Sequence, residues 1–132
     1  MSKERIAYLN GQNLPESEAK ISFRDRGFVL GDAIFDTART FEGKIFRLDD
    51  HIDRLYRSLK AVDMDPGLPP EEMKTISQNV VEKNLPLLEE GEDYWVFQRV
   101  TRGERAIVGL SLIHISEPTR RYAISYAVFC LK

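Results

Sequence analysis

The N-terminal part of the chain consists of short apolar runs separated by turn residues. Ile6–Leu9 is such a run, and Asn10-Gly11 follows it directly. Asn-Gly tolerates positive φ at both central positions of a type I′ turn, so this pair predicts a β-hairpin. Ala19–Phe23 is the plausible partner strand, because its apolar residues fall on one face.

A second set of strand patterns follows the polar segment Arg24–Gly27, which is typical of a turn. Ala33–Thr40 is rich in β-branched and aromatic residues, which favour strands. Glu42-Gly43 then reverses the chain into a short strand, Lys44–Arg47. Tyr94–Thr101 has the same strand-like composition, and we expect it to return to this sheet.

Two helices are predicted between these strands. Apolar residues recur at steps of three and four over Asp49–Val62 and again over Pro70–Lys83. Asp49 and Asp50 stand in the first turn, where carboxylates cap free N–H groups and oppose the helix dipole. The order of elements indicates an α+β fold, an antiparallel sheet with two helices. The apolar stripes are Leu48, Ile52, Leu55, Leu59 and Val62, then Met73, Ile76 and Val80.

Composition and charge narrow the classes of protein to which this chain can belong. The chain has 132 residues, 42% of them hydrophobic and 30% charged, with a net charge of −2, as in an ordinary single globular domain. Such a charge gives no reason to expect nucleic acid or an anionic membrane as partner. Neither a membrane-spanning run nor a secretory signal is present in the sequence. One cysteine, Cys130, excludes an internal disulfide, and the cytoplasm is the expected compartment.

The character of the sequence changes at Leu110. From there to Lys132 it contains no glycine, and the strings SLIHISEPTR and ISYAVFCLK resemble the conceptual translation of a DNA sequencing-library adapter. We therefore expect a natural domain over residues 1–109 and a non-native tail over 110–132 that lacks stable packing against it. A natural β-strand tail is the alternative, because Tyr122–Leu131 has high β-propensity. A non-native tail with that propensity could also pair as a strand.

Three motifs resemble those of the class IV (fold-type IV) pyridoxal-phosphate aminotransferases. They are RDRGF-x-x-GDAIFDT, EGKIFRLDDHIDRLYRS and FQRVTRG, and the resemblance runs from about Ile6 to Gly103. The family includes branched-chain and D-amino-acid aminotransferases, R-selective amine transaminases and aminodeoxychorismate lyase. The resemblance implies the small N-terminal domain of this fold, pyridoxal 5′-phosphate as cofactor, and an amino donor and a 2-oxo acid as substrates. It also implies a homodimer for the full-length enzyme.

Arg54 is the first candidate site residue. It follows the start of the first predicted helix by about one turn, and a planar guanidinium can bind a phosphate through two parallel hydrogen bonds. In the family that HIDRLYRS resembles, the arginine of the H-x-x-R step binds the cofactor's 5′-phosphate, which implies that role for Arg54. Periodicity alone favours a surface arginine paired with Asp50, four residues earlier. His51 is expected to help orient Arg54.

Phe35 and Arg39 are candidates for the substrate pocket. Four residues apart on one strand, they point to the same face, and the resemblance implies that both lie at the pocket. A core phenylalanine is the alternative for Phe35. Phenylalanine stands where similar D-amino-acid enzymes carry tyrosine, which disfavours D-amino acids as substrates. Arg102 and Arg105 are candidates for binding a substrate carboxylate, or else solvent-facing loop charges.

The catalytic group of an intact relative is a lysine that forms a Schiff base with the cofactor. No lysine here stands in a matching motif, so we assign no catalytic residue and expect that lysine in a second, downstream domain. The chain is interpreted as an aminotransferase fragment that is inactive by itself. A fragment of an aminodeoxychorismate lyase-like enzyme and a noncatalytic α+β binding module are the alternatives. Motifs for phosphate loops, serine hydrolases and zinc sites do not occur in the sequence.

Overall fold

A computed structural model describes residues 3–104 and 123–132, which are built around one antiparallel sheet. The strands are β1 Ile6–Leu9, β2 Gln12–Pro15, β3 Ala33–Phe41, β4 Lys44–Ile45, β5 Trp95–Glu104 and β6 Ala123–Leu131. The helices are α1 Arg26–Leu30, α2 Leu48–Ala61 and α3 Pro70–Asn84. The strand order is β2-β1-β6-β5-β3-β4, and neighbours run antiparallel. The predicted α+β class, with an antiparallel sheet and two long helices, is confirmed.

The N-terminal hairpin is present, but its partner strand is not the predicted one. Asn10 and Gly11 have φ values of 47° and 91°, the positive values that a type I′ turn requires. This turn joins β1 to Gln12–Pro15. The prediction of a strand at Ala19–Phe23 was wrong, because a two-residue turn pairs β1 with the residues that follow it immediately. Residues 19–23 lie in the connection to α1.

The two long helices cover one face of the sheet. Ile52, Leu55 and Leu59 of α2 and Met73 and Val80 of α3 are at most 1% exposed. They form one core with inward-facing residues of β3 and β5, and burial of each such side chain contributes about 1.5–3 kcal/mol. This packing holds α2 firmly above β3. None of the helices among residues 3–104 and 123–132 has the length and apolar character of a membrane-spanning segment.

The start of α2 differs from the prediction in how its acidic residues are used. Arg47 adopts a left-handed conformation and is the N-cap, without a side-chain cap hydrogen bond. Asp50 instead accepts a hydrogen bond from Arg47 Nε at 2.6 Å, and Asp49 pairs with Lys74 Nζ at 2.8 Å. β4 ends at Ile45, before the predicted end at Arg47, which instead adopts the left-handed conformation that leads into α2.

The segment predicted as a polar turn at Arg24–Gly27 contains the start of α1. Asp25 is its N-cap and accepts a hydrogen bond from Gly27 N at 2.7 Å through Oδ1. The other oxygen, Oδ2, accepts one from Thr101 Oγ1 at 2.8 Å. Asp25 is 2% exposed, so this buried carboxylate fixes the short helix onto β5.

Gly27 lies where α1 approaches β5 most closely. A Cβ atom there would lie 2.5 Å from Thr101 Cγ2 and 2.9 Å from Asp25 Oδ1. We expect Gly27→Ala to lower the free energy of unfolding by about 1–3 kcal/mol, the usual cost of overpacking. Urea denaturation measures this. Thr101→Ser removes the contacting methyl but keeps the hydroxyl, so Gly27→Ala should cost less in a Thr101→Ser background. Equal costs in both backgrounds would contradict the steric explanation.

The C-terminal segment packs differently from the prediction. β6 lies inside the sheet, between β5 and β1, with Val128 paired to both Gln98 and Tyr8. Val128 and Cys130 are 0% and 3% exposed. The prediction that the tail lacks stable packing was therefore wrong for residues 123–131, because their alternating apolar residues complete the core. The boundary at 109/110 falls outside the described residues, and the non-native origin of the tail stays a prediction.

Candidate functional site

Asp36 on β3 joins two side chains of α2 into one cluster. It faces the helices, as do Ala38 and Thr40, and it is 5% exposed. Its carboxylate accepts hydrogen bonds from Arg54 Nε at 2.7 Å (Oδ2) and from Arg54 Nη2 at 2.8 Å (Oδ1). His51 Nδ1 lies 2.7 Å from the same Oδ1. The arginine is therefore held by a bidentate pair that links the helix to the strand.

The alternative interpretation of Arg54 as a partner of Asp50 is wrong. Asp50 lies beside Arg47 at the start of the helix, and Arg54 turns instead toward the strand. His51, which was expected to help orient Arg54, lies beside it, with Arg54 Nη2 3.3 Å from His51 Nδ1. The partner of Arg54 is Asp36, which is eighteen residues away in the sequence. Helical periodicity could not predict this pair, because it relates only residues of one helix.

The charge state of Asp36 determines which atoms of His51 and Arg54 donate hydrogen bonds to it. Burial acts to raise the pKa of the Asp36 carboxyl, but the hydrogen bonds and charges of Arg54 and His51 outweigh it and hold this pKa below its ordinary value. Asp36 is therefore ionised at neutral pH and can only accept hydrogen bonds. The short contact with His51 then requires the proton on Nδ1. With Nδ1 as donor, it cannot also accept from Arg54.

This assignment leaves part of the Arg54 guanidinium available. Of its five N–H groups, one on Nε and one on Nη2 are used by Asp36. We call the remaining Nη1/Nη2 side of the guanidinium the outer edge of Arg54. The side chain is 59% exposed, so the outer edge can be reached from solvent. Planar, paired N–H donors fit two oxygens of a phosphate, and the arrangement therefore fits a phosphate-bearing cofactor.

Phe35 lines a cleft on the opposite face of β3. It is 59% exposed, so the alternative of a core phenylalanine is wrong. The cleft has a volume of about 350 Å³, within the range of small-molecule sites. It is lined by Ile21, Gly27, Phe28, Gly31, Ala33, Phe35, Arg99 and Thr101.

Arg99 is the charged side chain of this cleft. Its Cζ lies 5.1 Å from the ring centroid of Phe35 and 5.9 Å from that of Phe129, within the range of cation–π contacts. Within the described residues, it has no salt bridge to a carboxylate. The cleft thus combines an apolar floor with one positive charge.

Arg39 shares the face of Phe35, as predicted, but lies toward the other end of β3. Its guanidinium pairs with Asp93 at 3.5 Å. It also stacks on Phe41 and Trp95, with Cζ 4.9 Å and 5.9 Å from their ring centroids. The structure does not bring Arg39 into the cleft.

Arg102 ties β5 to two other parts of the fold. Its Nε donates to Asp32 Oδ2 at 2.9 Å, Nη1 to the Asp63 carbonyl at 3.2 Å and Nη2 to the Val62 carbonyl at 2.9 Å. The alternative of a solvent-facing loop charge is wrong, because the residue lies in β5 and its side chain is 21% exposed. Arg105 lies outside the described residues.

Two residues at these sites were missed in the sequence analysis. Asp36 could have been found, because period-two alternation from exposed Phe35 turns it toward the helix that carries Arg54. Arg99 follows from the same rule only once β5 is known to pair with β3 in the register Phe35↔Arg99. That register depends on long-range pairing, which strand composition alone does not reveal.

Comparison with known proteins identifies the family of this chain. The sequence model described as amino-transferase class IV matches residues 33–107, more than half of the chain. The match covers β3, α2, α3 and β5, the elements that carry both the Asp36–Arg54 pair and the Phe35 cleft.

Curated relatives include both D-amino-acid and branched-chain enzymes. A D-alanine aminotransferase of Staphylococcus aureus (strain N315) is 35% identical over 73% of this chain and 32% of its own length. A putative branched-chain-amino-acid aminotransferase of Methanocaldococcus jannaschii is 46% identical over 50% of this chain and 23% of its own length. The chain thus spans at most about a third of these two relatives.

Solved structures show the same fold. A T.th. branched-chain amino acid aminotransferase, complexed with N-(5′-phosphopyridoxyl)-L-glutamate, superimposes with a TM-score of 0.77 at 24% identity. The comparison covers all of this chain and 42% of that one. A branched-chain aminotransferase of Thermoproteus uzoniensis with norvaline gives 0.73 at 22% identity, over 98% of this chain and 41% of that one. The fold is that of the small N-terminal domain of these enzymes, and the chain belongs to the class IV aminotransferase family, whose enzymes depend on pyridoxal phosphate.

Proposed function

We propose that residues 1–109 are the N-terminal domain of a pyridoxal-phosphate-dependent aminotransferase that transfers an amino group between an amino acid or amine and a 2-oxo acid. The observation that carries the proposal is Arg54, held by a bidentate bond to Asp36 with its outer edge exposed. Its role is to bind the 5′-phosphate of the cofactor. The names of the relatives favour amino-group transfer over the lyase alternative.

When bound, pyridoxal phosphate supplies the electron sink that amino-group transfer requires. The contribution of this chain is binding and orientation. Arg54 directs two N–H donors at the phosphate, and its guanidinium is fixed before binding because Asp36 already holds the inner edge. A fixed donor pair binds without first losing side-chain freedom, so the phosphate end is anchored in one orientation.

The substrate wall is proposed to be the cleft around Phe35. The exposed ring offers an apolar surface to a substrate side chain, and Arg99 lies beside it. Arg102 supports the edge of the cleft indirectly. It hydrogen-bonds to Asp32, the residue between Gly31 and Ala33, and so holds these two lining residues in place. Arg39 belongs to the outer part of the same face. The prediction against D-amino acids, drawn from Phe35, stays a prediction.

The remaining parts of the enzyme are proposed to lie outside this polypeptide. They are the Schiff-base lysine, the acidic partner of the pyridine nitrogen and the second subunit of a homodimer. Among the described lysines, Lys74 is paired with Asp49 and Glu71, which raise its pKa, and Lys132 is paired with Glu92, which raises its pKa too. A nucleophilic amine must be unprotonated at working pH, so neither suits that role. We place the intact enzyme in the cytoplasm.

The test uses a chimera in which residues 3–104 replace the matching segment of the Staphylococcus aureus D-alanine aminotransferase. In it, Arg54→Ala should lower cofactor retention by at least about tenfold, since it removes a charge-assisted bidentate contact. Arg54→Lys should restore retention only in part, because lysine keeps the charge but loses the planar fork. Retention is measured from the visible absorbance left after dialysis. Arg57→Ala, an exposed arginine of the same helix, is the control and should retain cofactor. Undiminished retention in Arg54→Ala would refute the role of Arg54.

A further inference from the structure

The cluster of Asp36, His51 and Arg54 contains more than a phosphate-binding arginine needs. A carboxylate 2.7 Å from the guanidinium cancels most of the charge that would attract an anion. Simple electrostatics therefore predicts that Asp36 weakens phosphate binding. A buried carboxylate with this effect requires a compensating function, and the hydrogen-bond geometry supplies one.

Asp36 occupies the inner edge of Arg54 with two short hydrogen bonds, so the guanidinium has one orientation. The exposed side chain of an arginine otherwise samples many rotamers, and an interaction that requires one of them loses that entropy. Because Asp36 is 5% exposed and lies on β3, paired with Gln98 of β5, it is itself immobile. The orientation of the outer edge is thus set by the sheet, although Arg54 lies on a helix.

His51 completes the cluster by holding the carboxylate. Asp36 Oδ1 receives one hydrogen bond from Arg54 Nη2 and one from His51 Nδ1, while Oδ2 receives one from Arg54 Nε. Three donors satisfy the buried charge, as a desolvated carboxylate requires. The histidine side chain is 21% exposed, and its Nδ1–H fixes the plane of the carboxylate without competing for the outer edge of Arg54.

We propose that Asp36 and His51 are positioning residues for anion binding: Asp36 locks Arg54 so that its outer edge receives a phosphate, and His51 locks Asp36. This inference rests on the proposed function of Arg54 and adds the residues that make it effective. Charge alone predicts that the Asp36 carboxylate weakens phosphate binding, whereas this proposal predicts that it strengthens phosphate binding.

The test is titration of the 132-residue chain with inorganic phosphate, observed through the Arg54 Nε–H resonance and the amide resonances of α2. Asp36→Asn should bind phosphate about two- to tenfold more weakly than the wild type, because an unlocked side chain loses rotamer entropy on binding. Electrostatics alone predicts tighter binding, and tighter or equal binding by folded Asp36→Asn would overturn the inference. Arg54→Ala is run in parallel. If it binds phosphate as well as the wild type, the proposed function itself fails.

His51 variants keep the inference testable if Asp36→Asn does not fold. His51→Ala removes the donor to Asp36 and should weaken phosphate binding and broaden the Arg54 Nε–H resonance. His51→Asn can place an amide N–H near the position of Nδ1 and should restore both. If His51→Ala binds phosphate normally with an unchanged Arg54 resonance, His51 does not position the cluster. If both variants bind weakly while the resonance stays sharp, His51 contacts the phosphate directly, and its positioning role is refuted.

Discussion

Deletion of residues 123–132 is expected to lower the free energy of unfolding by more than about 4–5 kcal/mol, beyond the range of most single substitutions. β6 is paired on both sides, with β5 along most of its length and with β1 at Tyr8 and Leu9. Its removal would leave two unpaired strand edges and expose the core beneath Val128. Because small domains are stable by only about 5–15 kcal/mol, we expect a largely unfolded or aggregated product.

A pair of point variants separates loss of packing from loss of chain length. Val128→Asp places a carboxylate at a 0% exposed core position, whereas Leu131→Asp places one at a 39% exposed position of the same strand. A buried, unpaired charge is costly, so the first should unfold the protein at much lower urea concentration than the second. Equal midpoints for the two variants, or an unchanged midpoint on deletion, would show that β6 is not part of the core.

The second large effect concerns activity. We expect the 132-residue polypeptide to show no aminotransferase turnover with any pair of amino donor and 2-oxo acid. A single arginine contact to phosphate falls short of the free energy that even millimolar affinity requires, so Arg54 alone cannot retain the cofactor. The chimera carrying a downstream domain should be active, and Arg54→Ala should reduce its activity. Turnover by the short polypeptide itself, abolished by removing one of its own lysines, would contradict the proposed division of the enzyme.

Local patterns predicted the parts of the fold that local chemistry determines. The Asn10-Gly11 turn, the apolar stripe of α2 and the composition of β3 each specify their element with few neighbours involved. The partner of the hairpin was mispredicted because Gln12–Pro15 has little strand character of its own. It becomes a strand only because the turn places it beside β1.

The position of β6 shows the same limit on a larger scale. The Tyr122–Leu131 segment was recognised as strand-like, but sequence alone could not show that the sheet has a gap between β1 and β5. An alternating apolar segment fits such a gap regardless of its origin, because pairing depends on backbone hydrogen bonds and on side chains that face the core. Good packing of β6 is therefore compatible with the predicted adapter origin.

The site divides in a similar way. Arg54 was predicted from the resemblance of HIDRLYRS to a family motif, and no feature of the helix alone would have identified it. Period-two alternation could have placed Asp36 on the face of β3 opposite Phe35. Its pairing with Arg54 depends on β3 lying beneath α2, which the sequence alone does not show. From the sequence, Arg102 was expected to be either a loop charge or a ligand for a substrate carboxylate. Its three hydrogen bonds were not predicted, because they depend on where Asp32 and the residues after α2 lie in the fold.

The most direct test of the central claim is borohydride trapping with pyridoxal phosphate, followed by visible spectra and peptide mapping. The chimera with a downstream domain should yield one reduced pyridoxyl group per chain, on a lysine beyond the segment contributed here. The 132-residue polypeptide should yield only scattered, substoichiometric labelling of its surface lysines. A specific, stoichiometric adduct on one lysine of the 132-residue polypeptide would contradict the claim that this chain supplies the phosphate contact but not the catalytic lysine.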